Sequence, residues 1–109
     1  DCWFRGLWNV GLEDALDVCT RSIERASNAA AALDSRALIR FRQGDYEGAI
    51  ADLDGALAIS PGLSESHYLR AMAKMHADVD GAQEDLTIAL RMAPHLEAFY
   101  TRHGITAPQ

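Results

Sequence analysis

Apolar positions in the middle of this chain return every three or four residues, the spacing that places side chains on one face of a helix. Leu33, Ala37, Leu38 and Phe41 mark such a face over 30–43, and Ile50, Leu53, Ala56 and Leu57 mark another over 46–59. Between them, Gly44 can end the first helix in a left-handed conformation without a Cβ penalty. Asp45 can cap the second, because its carboxylate accepts from amides that have no partner in the first turn. Pro61 stops that helix by removing a donor. The same reading along the whole chain predicts helices over 2–9, 12–26, 30–43, 46–59, 64–76, 79–92 and 95–103.

The pattern repeats. At an offset of 34 residues Arg36-Ala37 meets Arg70-Ala71. Past the middle of the unit the offset is 33, and Gly48-Ala49 meets Gly81-Ala82, Asp52-Leu53 meets Asp85-Leu86, Ala56-Leu57 meets Ala89-Leu90, and Pro61 meets Pro94. Stepping back 34 from Ala49 gives Ala15, with Leu16, Cys19, Ser22 and Ile23 opposite Ile50, Leu53, Ala56 and Leu57. A third, diverged copy therefore opens the chain. A fixed period of this length is the mark of stacked repeats that bury a continuous core only as neighbours. Ala37, Ala49 and Ala56, and then Ala71, Ala82 and Ala89, recur where paired helices must come close, since a larger side chain would push the axes apart.

These residues resemble the tetratricopeptide repeat. Ser35-Arg36-Ala37, then Gly44-Asp45-Tyr46-Glu47-Gly48-Ala49-Ile50, then Asp52-Leu53, Ala56-Leu57 and Pro61 carry the resemblance. It spans nearly all of the chain as repeats over about 1–28, 30–61 and 64–94, followed by a capping helix over 95–103. The last repeat lacks the turn glycine and has His76-Ala77-Asp78 there; Arg40 and Lys74 replace the usual aromatic late in the first helix of the unit. The resemblance implies an all-α fold in one domain over 1–109, an α-α superhelix in which the first helix of each pair lines a concave face. It implies a protein- or peptide-binding scaffold, with a groove of Phe4, Leu7 and Trp8, then Asp34, Leu38, Phe41 and Arg42, then Tyr68, Met72 and Met75. Aromatics, Met and Arg are favoured at interfaces, but a helical stripe of this kind also suits a core. The alternative reading is a structural or self-association module that supports a larger protein and forms homo-oligomers. Lys74 is the only lysine, so the Lys and Asn clamp with which one subtype grips a C-terminal carboxylate, such as a heat-shock chaperone tail, has no counterpart here.

Composition narrows the classes further. Formal charge is −6 and the pI about 5.0, with the bases scattered among more numerous acids. Nucleic-acid binders present a basic face to phosphates, so nucleic acid is not expected as a partner. No apolar run reaches the length of a membrane span, so membrane insertion is not expected either. The chain begins at Asp1, partway into a helix, and reads as a fragment of a longer protein or a mature chain. Its alanine-rich repeats resemble bacterial members of the family. Periplasm and cytoplasm both stay open, with the periplasm preferred if the cysteines pair.

Cys2 and Cys19 fall on facing sides of the first helix pair. Facing helices can bring Cα atoms within the roughly 7 Å that a disulfide needs; two buried thiols are the alternative. There is no Cys-x-x-Cys, and His67, His76, His95 and His103 have no spacing that gathers three or four metal ligands, so they read as solvated or half-packed imidazoles. Glu13, Asp14, Asp17, Asp45, Glu47, Asp52, Asp54, Glu84 and Asp85 read as a solvated outer face. No phosphate-cradling glycine loop and no singled-out nucleophile triad are present. The sequence therefore predicts neither an enzyme nor a cofactor. Leu96, Phe99 and Tyr100 place the last helix as a cover on residues 79–92, with a contact to a second copy of the chain as the other use of Phe99 and Tyr100.

Overall fold

A computed structural model describes residues 2–109. Seven helices and no strand occur among the described residues: α1 (Cys2–Trp8), α2 (Leu12–Arg25), α3 (Ala30–Arg42), α4 (Tyr46–Ile59), α5 (Ser64–Ala77), α6 (Ala82–Met92) and α7 (Leu96–Arg102). The fold is all-α. The helices form successive antiparallel hairpins, α1–α2, α3–α4 and α5–α6, with α3 packed on α1 and α2, α4 on α5, and α7 closing on α6.

The expected turn chemistry sets most helix ends. Gly44 adopts a φ of +80° after α3, and the Asp45 carboxylate accepts from the Gly48 amide at 3.0 Å to start α4. One turn later in the repeat, Asp78 takes the place of that glycine and is itself left-handed, with a φ of 58°. Asp tolerates that region better than most side chains. The turn that follows passes through Gly81 before α6 begins at Ala82, three residues later than the pattern predicts.

Close helix approach depends on alanine. Ala15, Ala37, Ala49, Ala56, Ala71 and Ala89 are wholly buried, while Ala82 keeps some exposure. Cys2 and Cys19 have Cα atoms 5.5 Å apart and are paired as a disulfide joining α1 to α2. They share a small core with Ala15 and Ile39.

Two acids expected on a solvated face are instead buried between helices. Asp52 on α4 accepts from Arg36 Nε and Nη2 at 2.9 and 2.7 Å and from Arg40 Nη1 at 3.1 Å. One repeat on, Asp85 on α6 accepts from Arg70 Nε and Nη2 at 2.8 and 2.7 Å and from Lys74 at 2.9 Å. Arg40 and Lys74 each complete an ion cluster. His67 is buried rather than solvated. Its Nδ1 lies 3.0 Å from Asp85 and its Nε2 2.9 Å from the Pro61 carbonyl oxygen.

Burial alone would push the Asp85 carboxyl up, but hydrogen bonds from Arg70, His67 and Lys74 outweigh it and hold the carboxyl down at about 2. A depressed folded-state value stabilises the fold above the ordinary carboxylate range and loses that effect only as pH falls through about 2. Asp85→Ala leaves Lys74 without a counter-ion and Arg70 with only the exposed Asp54, at a cost of about 3 kcal/mol. Asp54→Ala removes the exposed partner of Arg70 and costs under about 1 kcal/mol. Urea unfolding followed by helical circular dichroism checks both; equal midpoints for the two variants would show that the inner ion cluster is not structural.

Candidate functional site

The faces of α3 and α5 that the repeat pattern assigns to an open groove are covered. Arg42, at the C-terminal end of α3, donates from Nε to the Gly6 carbonyl at 2.7 Å and from Nη2 to the Leu7 carbonyl at 2.8 Å. The same Nη2 donates to the His103 carbonyl just beyond α7. Carbonyls at helix ends lack intrahelical partners and carry partial negative charge, which suits a guanidinium. One side chain thus ties the ends of the first and last helices together over the middle of the fold. Burial pulls the Arg42 guanidinium down from its ordinary value.

Beneath this clasp the helices meet closely. A Cβ on Gly6 would sit 2.7 Å from Leu38 Cγ, and Leu38 is fully buried, so only glycine lets α1 lie on α3 here. Trp3 of α1 lies nearly parallel to Phe99 of α7 at 6.3 Å, and Trp8 meets His103 edge-on at 5.0 Å. Tyr100 stacks on Tyr68 of α5 at 5.2 Å, and Ile105 is wholly buried in the same cluster.

The ten expected groove residues therefore divide. Leu7, Leu38, Phe41, Tyr68 and Met72 belong to the main core, with half-buried Met75 packed against it. Their reading as an open lining is corrected, because α1, α7 and Ile105 take up the space that the pattern leaves to a partner. Arg42 is the clasp. Phe4 and Trp8 lie on the outer side of α1, 53% and 56% exposed, with ring centroids 6.1 Å apart. Phe41 and Arg42 also edge a small cavity of about 210 Å³ beside Tyr46 and His76, and Asp34 reaches the larger opening.

That opening is a cleft of about 440 Å³ at the end of the fold away from Arg42. It lies among the N-terminal turns of four helices: Trp3 from α1; Ala31, Asp34 and Ser35 from α3; Leu63, Glu65 and Ser66 from α5 and its entry; His95, Leu96 and Phe99 from α7 and its entry. The walls are mainly apolar. Asp34 is only 7% exposed and accepts from the Ser66 hydroxyl at 2.7 Å through Oδ1. Its Oδ2 has no hydrogen bond among the described residues. The Tyr100 hydroxyl is buried without a hydrogen-bond partner among the described residues. Desolvation, and then the charges of Asp34 and Glu65, push its phenol well above the ordinary range.

Of the cleft residues, only Asp34 was among the groove candidates. Ser66 and Trp3 carry no motif of their own, and Phe99 stood as part of the cover or as a contact to a second copy of the chain. The available signal was positional: Asp34 occupies the repeat position filled by Tyr68 in the next unit, an acid where the pattern calls for a buried apolar ring.

Known proteins offer no template for this site. No family model, no curated protein and no solved structure matches the chain. Its chemistry is read from its own residues. No cluster of three or more side chains able to hold a metal occurs among the described residues, and no helix is long and apolar enough to cross a membrane.

Desolvation, opposed by the Ser66 hydrogen bond and reinforced by the charge of Glu65, raises the Asp34 carboxyl to about 6. A raised folded-state value favours folding while the group is protonated. That contribution is full below pH 3.8 and is lost as pH rises through about 6. At neutral pH the buried charge is therefore a liability on the order of 2 kcal/mol. Asp34→Asn is expected to raise stability by roughly 1–2 kcal/mol at pH 7.5 and to leave it unchanged near pH 4. Urea titrations at the two pH values measure this; an Asn variant less stable than the parent at both would contradict the account of Asp34.

Proposed function

We propose that this chain is a non-catalytic binding scaffold of the tetratricopeptide repeat kind, and that it docks a peptide segment of a partner protein in the cleft between α1, α3, α5 and α7. The observation that carries the reading is the cleft itself. It has the volume of a small-ligand site, apolar walls and a few converging polar groups, which is the usual make-up of a recognition pocket. Trp3 and Phe99 at its edge are aromatic residues of the kind that anchor interfaces. The Gly44-Asp45-Tyr46 turn and the repeated alanine pattern support this family reading. The Ser66 hydroxyl is held by Asp34, but no imidazole is hydrogen-bonded to either among the described residues, and we read the output as binding rather than turnover.

A random heptapeptide display library is the direct probe. The native protein is expected to enrich a defined set of sequences. Ala31→Trp fills the cleft from an exposed position and should abolish their binding while helicity and the unfolding midpoint are kept. Enriched peptides that bind this variant as well as the parent would place the docking site elsewhere.

A second reading, self-association, has its own observation: the exposed Phe4 and Trp8 on the outer side of α1. Large exposed rings side by side often mark a protein contact. Under this reading the chain sediments as a dimer at high concentration, and Phe4→Ser with Trp8→Ser returns it to a monomer. A parent chain that is monomeric throughout removes the reading.

A further inference from the structure

We infer that the cleft is built to take a basic side chain, a lysine ammonium or arginine guanidinium on the docked segment, with Asp34 as its counter-ion. This rests on the proposed docking role of the cleft and names the chemistry of what docks there.

Three observations converge on a cation. The first is the unfinished coordination of Asp34. One carboxylate oxygen is bound by Ser66, and the other has no donor among the described residues although the side chain is more than nine-tenths buried and lines the cleft. That oxygen is open to the cleft, and an incoming charged N–H group would complete its coordination with a charge-assisted hydrogen bond. The second is the contrast with the chain's other buried acids. Asp52 sits against Arg36 and Arg40, and Asp85 against Arg70, Lys74 and His67, whereas Asp34 has no ion pair among the described residues and no Lys or Arg lines its cleft. Its neighbours are Ser66 and Glu65 on α5, His95 and Tyr100 at α7, and Trp3 on α1. The third is charge. Glu65 adds a second carboxylate at the cleft, and the chain carries a formal charge of −6, so a basic segment is drawn in and an acidic one repelled.

The shape also fits. Lysine and arginine carry a long methylene stem beneath a charged head. Trp3, Leu96 and Phe99 give that stem an apolar wall, and Asp34 lies where the head must end. The free cleft then holds a carboxyl that titrates near 6, and an arriving cation restores its ionised form.

The test uses the library-selected peptides. Under this inference the cleft-dependent sequences are rich in Lys and Arg. Replacing the key lysine by norleucine, or making Asp34→Asn, weakens binding about ten-fold or more, and the two changes together weaken it little further. Affinity for the Lys peptide falls about ten-fold from pH 7.5 to pH 5, where about a tenth of Asp34 remains ionised, and most of that fall disappears in Asp34→Asn even though His95 is still present. Cleft-dependent peptides that are acidic or purely apolar, or a lysine preference that survives Asp34→Asn, overturn the inference and leave the docking role standing. If n-butylammonium alone displaces the peptide at equal concentration, a free amine rather than a peptide side chain is the occupant, and the inference is overturned. If no selected peptide depends on the cleft, the docking role and this inference fall together.

Discussion

The guanidinium of Arg42 holds the two ends of the chain in place. Its hydrogen bonds to the carbonyls of Gly6, Leu7 and His103 join α1, α3 and the end of α7 at a single point. Both terminal helices have seven residues, far below the length at which an isolated helix is stable in water. They persist because their ends are capped and their apolar sides are covered. The Cys2–Cys19 bridge and the glycine contact at Leu38 add to this on the α1 side, and the Tyr68–Tyr100 stack and buried Ile105 add to it on the α7 side. With both ends drawn over α3 and α5, the face that a repeat array would leave open becomes core. The larger opening is the cleft at the opposite end, where the same helices start.

The repeat organises polar groups as well as apolar ones. Asp52 with Arg36 and Arg40, and Asp85 with Arg70 and Lys74, are the same cluster one unit apart. Such clusters contribute less net stability than their short distances suggest, because each charge must leave water. They fix which residues of neighbouring helices face each other, since a slip in register would strand a buried carboxylate. Asp34 departs from this rule. It is buried without an ion pair among the described residues, and its neighbours leave one oxygen free at the cleft.

Much of the fold was legible in the sequence. The 3.6-residue stripes, the Gly44-Asp45 turn and the prolines located the helices to within a residue or two, except at α6. There an extended turn through Asp78 and Gly81 delays the helix, and no local residue signals the delay strongly. The alanine pattern named the close contacts. Closure of the concave face was not legible, because it depends on Arg42 reaching across 35 and 61 residues to backbone carbonyls, and carbonyls have no sequence signature. Stripe residues look alike whether a partner or the chain's own ends cover them, so Phe41 and Tyr68 read as groove and proved to be core. The acids misled for a similar reason. Asp52 and Asp85 resemble surface carboxylates until the helix carrying their arginines is placed beside them.

Amide hydrogen exchange on Arg42→Ala tests the clasp most directly. If one guanidinium holds both chain ends, the amides of Cys2–Trp8 and Leu96–Ile105 lose protection together, while those in the centres of α4 and α5 keep theirs. Unchanged exchange in both end segments, or a uniform loss across all seven helices, would contradict it.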